Sequence, residues 1–126
     1  MTLNKHEKNL FEGFLYRFLL DKENLFYFPR TKGTEIFLKA RKKFPEELKI
    51  FSTRPGDGKC MVLETLINNS ISSGNLEITQ SPTGGLLGYK FIITSKLYLD
   101  NSAKENYEKN KGVIDYLFKL YKKIKK

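Results

Sequence analysis

The residues best placed to do chemistry lie together in Thr53-Arg54-Pro55-Gly56-Asp57-Gly58-Lys59-Cys60, a Pro/Gly turn ending in Gly-Lys ahead of a helix-like run. A nucleotide-cradling loop has the form G-x-x-x-x-G-K-[ST]: the glycines let backbone N–H groups wrap the phosphates, and the hydroxyl holds Mg²⁺. Here Thr53 stands at the first glycine and Cys60 at the hydroxyl position, and no series of βαβ units surrounds the turn. Leu97-Tyr98-Leu99-Asp100 imitates the strand-end aspartate of such enzymes, but it lies just ahead of a helix start. The pattern argues against nucleotide hydrolysis. It leaves Gly56, Gly58 and Lys59 at a helix N-terminus, where free N–H groups and the helix dipole suit a backbone phosphate.

Other catalytic constellations are no better supplied. Cys60 follows a lysine at a helix start, a setting that lowers a thiol pKa. The one histidine, His6, sits near the chain start and reads as exposed or part of a helix cap, so Cys60 reads as a core or flanking residue. One cysteine and one histidine exclude an intramolecular disulfide and the usual zinc sets. Glu46-Glu47 and Glu105 with Glu108 read as solvated surface acids. The expectation is a non-catalytic protein with no cofactor, metal or small-molecule substrate.

The 126 residues suit a single domain over 1–126, with a core rich in aromatics: ten Phe and seven Tyr, but no Trp. The polar start MTLNKHEKN lacks the apolar region of a signal peptide, and no apolar run approaches a membrane span, so a cytoplasmic, soluble protein is expected. The net charge of +9 is unevenly spread. Residues 1–29 are neutral and 60–100 carry −1, whereas 30–59 and 101–126 carry +5 each. Clustered positive charge implies a polyanionic partner and bears on binding rather than on fold.

The elements that would position these charges follow from periodicity. Asn4 and Glu7 have the residue types of a capping box. Leu10, Phe11, Phe14, Leu15, Phe18 and Leu19 then mark an amphipathic helix ending near Asp21. Leu25-Phe26-Tyr27-Phe28 is β-prone and is stopped by Pro29. Thr34 is expected to cap a second helix with Ile36, Phe37, Ala40 and Phe44 inward, limited by Pro45. Residues 46–51 are ambiguous between helical turn and strand. A third helix is expected from Asp57 or Gly58 to Ser73, with Val62 or Leu63, Leu66, Ile67 and Ile71 inward and Gly74 as its C′ stop. Leu76–Thr79 and Tyr89–Thr94 read as a hairpin around the turn residues 80–85. Ser102 to Glu105 is a capping box that opens one C-terminal helix over about 102–124. Tyr107, Ile114, Leu117, Phe118, Tyr121 and Ile124 form its apolar face, with Gly112 a weak point.

This order of helix, strand, helix, helix, strand, wing-like loop and strand resembles the winged helix-turn-helix superfamily, with an added C-terminal helix. The residues that carry the likeness are LFYF at 25–28, TEIFLKARKKF at 34–44, MVLETLINNSISSGNLEI at 61–78 and SPTGG at 81–85. The fold class it implies is α+β, a winged-helix-like domain with a short antiparallel hairpin as the wing. It also implies that the third helix enters a DNA major groove while the wing meets the backbone or minor groove. Its outward face would be Glu64, Thr65, Asn68, Asn69 and Ser72, with Asn68 and Asn69 able to read adenine. Phosphate contacts would come from Lys32, Lys39, Arg41, Lys42, Lys43, Arg54, Lys59 and Lys90.

For the basic C-terminal helix three readings stand: packing on the body of the domain, pairing with a second copy in a homodimer, and direct contact with nucleic acid or an anionic membrane. The function expected is non-catalytic DNA binding by a small transcriptional regulator, or by an accessory factor for replication or a mobile element. Its partner would be nucleic acid, duplex DNA first, with no membrane. The alternative is a protein-interaction module that binds an acidic partner, favoured by the absence of Lys and Arg from the third helix after Lys59 and by the uncharged wing tip.

Overall fold

The computed structural model describes residues 5–27, 30–49, 51, 60–78, 90–99 and 101–125. In chain order the elements are α1 (Lys5–Leu20), β1 (Leu25–Tyr27), α2 (Arg30–Lys43), α3 (Met61–Ser72), β2 (Leu76–Ile78), β3 (Lys90–Ile93), α4 (Ser95–Tyr98), α5 (Asn101–Lys109) and α6 (Lys111–Lys125). The described chain is therefore mostly helical with one small antiparallel sheet, an α+β arrangement.

The 3.6-residue spacing of Leu10, Phe11, Phe14 and Phe18 puts them on one face of α1, and all four are buried. Phe14 is the hub of an aromatic core. Its ring meets Phe18, Phe26 and Phe37 edge-on, with centroids 5.3, 6.2 and 5.7 Å away. Phe18 in turn meets Phe118 and Tyr121 edge-on at 5.0 and 4.8 Å, the geometry that the ring quadrupole favours. Tyr121 is buried with its hydroxyl satisfied, because the Tyr27 N–H donates to it at 3.0 Å. Burial, opposed by that N–H, pushes its phenol pKa up.

The sheet runs β1-β3-β2, with both pairings antiparallel. Phe26 pairs with Phe91 and Leu76 with Ile93, and these four side chains face the core. One residue along, Leu25, Ile92 and Glu77 share the outer face, as the period of two requires. The β2–β3 pairing brackets the segment expected as the hairpin turn, of which residues 79–89 lie outside the described residues.

Several boundaries depart from the sequence reading. α2 opens at Arg30, not at Thr34, which is buried within the helix. Burial of Ile36, Phe37 and Ala40 outweighs the poor helix propensity of Gly33 and Thr34. After α2 the chain makes a turn, not a strand: Leu48 N–H donates to Phe44 O and Phe51 N–H to Leu48 O, and both Leu48 and Phe51 are buried. α3 opens at Met61, since Cys60 is extended at its N-cap, with φ −98° and ψ 101°. Residues 95–98 form a short helix that periodicity does not show, so Leu97-Tyr98 belongs to no strand.

The expected single C-terminal helix is two helices, and Ser102 lies inside α5 rather than capping it. The break falls at Asn110. Its N–H is shared between Asn106 O and Tyr107 O, and its Nδ2 also donates to Asn106 O, so the side chain competes with the ladder. Of the predicted apolar face, Tyr107, Ile114, Leu117, Phe118 and Tyr121 are buried within the chain; the Ile124 side chain lies outside the description.

The helix ends are closed by backbone bonds. At the end of α3, Gly74 has φ +85°, its N–H donates to Ile71 O, and Asn75 N–H donates to Ser70 O at 2.9 Å. These are the paired bonds of a Schellman stop, the role expected of Gly74. α1 ends the same way, but with Lys22 in the left-handed position at φ 60°.

Candidate nucleic-acid interface

α3 buries Val62, Leu63, Leu66 and Ile67, and that stripe leaves Asn68, Asn69 and Ser72 exposed on the opposite side. Thr65 and Glu64 are half-buried at the boundary, and the Thr65 hydroxyl donates to Met61 O at 2.8 Å within its own helix. The C-terminal end of α3 is held by one bond within the helix and two from the segment after β3. Ser70 Oγ donates to Leu66 O, Thr94 Oγ1 to Gly74 O at 2.8 Å, and Lys96 Nζ to Ser73 O at 2.6 Å. Lys96 thereby places a cation where the helix dipole is negative. The exposed amides thus stand on a helix whose end is locked to the segment following β3.

The basic residues expected to touch phosphates divide into distinct groups. Lys39 and Lys42 are exposed. Lys43 is also exposed, and its Nζ lies 4.5 Å from the centre of the Tyr116 ring. Arg41 is different. Its guanidinium donates to the Phe51 carbonyl, and it is half-buried. The arginine therefore closes the turn after α2 at Phe51, whose ring stacks on Phe37 with centres 4.9 Å apart. Lys32 and Lys90 lie in α2 and β3 by backbone, and their side chains lie outside the description. Arg54, Gly56, Gly58 and Lys59 lie outside the described residues.

Folding also gathers polar residues that local sequence does not group. Lys5, Lys8 and Asn9 of α1 face Asn69, Asn75 and Lys96 across a polar cleft of about 270 Å³. Lys96 lies far from Lys5 and Lys8 in sequence, and no local pattern links it to them. On α6, Lys119 and Lys123 are exposed on the side away from Leu117 and Tyr121. Arg17 instead sits within a structural cluster. Its Nη1 donates to Asp21 at 2.8 Å and its Nε to Asp115 at 3.2 Å, and its guanidinium lies 4.3 Å from the Phe118 ring centre. Asp115 also accepts from the Tyr107 hydroxyl at 2.8 Å. Burial, then the bond and charge of Asp115, push the Tyr107 phenol up to about 12.

Cys60 is fully buried at the α3 N-cap. The exposed His6 ring pairs through Nε2 with the Glu47 carbonyl at 3.1 Å. Among the described residues no group of three His, Cys, Asp or Glu lies close enough to hold a metal ion, and no helix is long and apolar enough to cross a membrane. The chain matches no protein-family model, no curated protein and no solved structure.

Proposed function

We propose that this chain is a winged-helix-like, non-catalytic DNA-binding protein, serving as a small regulator or as an accessory factor for replication or a mobile element. The observation that carries the reading is the setting of α3. Its apolar stripe is buried, its Asn68-Asn69-Ser72 face is open, and the antiparallel β2–β3 pair follows directly. Amide side chains on an exposed helix suit the donor and acceptor pattern of adenine in the major groove. The exposed Lys39 and Lys42 supply sequence-independent attraction to phosphates. Pairing two copies through the apolar face of α6 would withdraw Leu117 and Tyr121 from the core, so the binding unit in this proposal is one chain.

The test is fluorescence anisotropy with labelled duplex DNA, single-stranded DNA and RNA over a range of salt. The reading requires a duplex preference and an affinity that falls steeply with salt. Asn68→Ala with Asn69→Ala should flatten any preference among duplex sequences and leave the salt dependence unchanged. Absence of duplex binding at low salt refutes the proposal. The alternative is a module for an acidic protein partner, to which the outer sheet face, where Leu25 is 51 % and Tyr27 39 % exposed, would add apolar contact. A protein partner retained after nuclease treatment, and lost on Leu25→Ser with Tyr27→Ser, would establish it.

A further inference from the structure

The two basic blocks of the sequence meet in the fold. α2 carries six basic residues against one acid, and α6 carries five against one. The two helices pack on each other. Phe44, just after α2, meets Tyr116 of α6 with ring centres 5.8 Å apart, and Lys43 lies over the same Tyr116 ring. At the other end, Tyr121 bonds to Tyr27 of β1, and Lys122 pairs with Glu23, both in the segment that leads into α2. α6 therefore runs antiparallel to α2. Since Leu117, Leu120 and Tyr121 are buried, Lys119 and Lys123 face outward from α6, and Lys39, Lys42 and Lys43 are exposed on the α2 it packs against.

We propose that this α2–α6 face is the principal dock for the phosphate backbone of duplex nucleic acid. The inference deepens the DNA-binding reading and rests on it. It moves the main source of affinity from α3, which carries Glu64 and no basic residue, to a surface that the C-terminal helix completes. The acids of these two helices do not cancel it: Asp115 is held by Arg17 and Tyr107, which leaves the exposed Glu35 on α2. Helices of 14 and 15 residues make a face about 20 Å long, along which a duplex carries about twelve phosphates.

The chemistry favours a duplex over other polyanions. A lysine is a flexible point charge, suited to a diffuse row of phosphates rather than to bidentate carboxylate recognition. Single strands are held largely by bases stacked on open aromatic rings. Here Tyr116 is half-buried and covered by Lys43. A membrane-surface helix would insert its apolar face, but that face of α6 is buried in the protein's own core.

The decisive variant replaces Lys39, Lys42, Lys119 and Lys123 with Gln, all exposed, so its melting temperature should match the parent's. Against a duplex of arbitrary sequence, each lost phosphate contact should flatten the slope of log K against log salt by about 0.9. Four contacts correspond to an affinity loss of about 10³-fold at about 0.1 M salt. Asn68→Ala with Asn69→Ala and Ser72→Ala should keep the parent slope. If the lysine variant keeps the parent slope while the α3 variant weakens binding, the dock is overturned and DNA binding stands. If the parent binds no duplex at low salt, both proposals fall. Equal binding to a single strand of the same length, or stronger binding to phosphatidylserine vesicles than to duplex, overturns the duplex assignment.

Discussion

Gly13 should resist substitution even by alanine, against the intrinsic preference of a helix. It lies in the middle of α1, where glycine costs about 1 kcal/mol relative to alanine. It is buried where α1 crosses α5 and the start of α6. A Cβ at this position would stand 2.7 Å from Ile114 Cδ1, 2.9 Å from Tyr107 N and 3.0 Å from Tyr107 Cα. Ile114 can change rotamer, but the Tyr107 backbone cannot retreat without moving α5. Overpacking costs about 1–3 kcal/mol, and backbone contacts put this site near the upper end. Set against the propensity gain, Gly13→Ala should destabilise by about 2 kcal/mol, a fall in Tm of about 8 °C for a chain of this size. Gly112 supplies the control. It has nothing within 4 Å of its would-be Cβ and lies exposed in the first turn of α6, so Gly112→Ala should stabilise by about 0.5 kcal/mol. Urea unfolding followed by circular dichroism measures both. A Gly13→Ala protein as stable as the parent would refute the close crossing of α1 and α5.

Three further outcomes follow from the same geometry. Lys22→Gly should stabilise by about 1 kcal/mol in urea unfolding, because Lys22 holds a left-handed conformation that glycine adopts without steric cost. The ionisation of Tyr107 at about 12, followed by absorbance near 295 nm, should fall in Asp115→Asn without returning to 10, since burial is its largest cause. Protonation is favoured in the folded state, so its contribution to stability is complete below pH 10 and is lost as pH rises from 10 through about 12. Arg41→Gln should lower stability by about 1.5 kcal/mol, as a charged donor to the Phe51 carbonyl is lost. Its salt slope for duplex binding should match the parent's.

What the sequence discloses depends on whether the deciding interaction is local. The α1 stripe, the α3 stripe and the Gly74 stop are legible because a helix repeats every 3.6 residues and glycine tolerates positive φ. The strand segments are legible by type, whereas the pairing of β1 with β3 joins residues 65 or so positions apart and has no local signature. The break at Asn110 is hidden for another reason: an asparagine in a helical pattern shows its competing side-chain bond only once Asn106 O is in place. Adjacency in sequence groups Arg41 with Lys39, Lys42 and Lys43. At about 100° per residue, however, Arg41 stands about 200° from Lys39, on the side that faces the core. Helical phase, and not adjacency, separates the arginine that closes a turn from the lysines that face water.

The same phase argument explains why charge counted along the chain understated the basic surface. Each +5 block looks like a solvated run while it is read alone. Once Ile36, Phe37 and Ala40 of α2 and Leu117 and Tyr121 of α6 are committed to one core, the polar faces of the two helices have one direction left to point. In the proposed dock, neighbouring helices on a shared core join two separate lysine rows, and the Lys43–Tyr116 contact lies between them. α3 has no such charge and displays amides instead. Backbone attraction and base reading are separable tasks in duplex recognition, the first positioning the protein and the second carrying sequence information. The division of the surface therefore predicts a division of effects. Variants of the α2–α6 lysines should change affinity and salt slope uniformly across sequences, and variants of Asn68 and Asn69 should change the ranking of sequences at constant slope. A single surface responsible for both would make the two sets of variants indistinguishable.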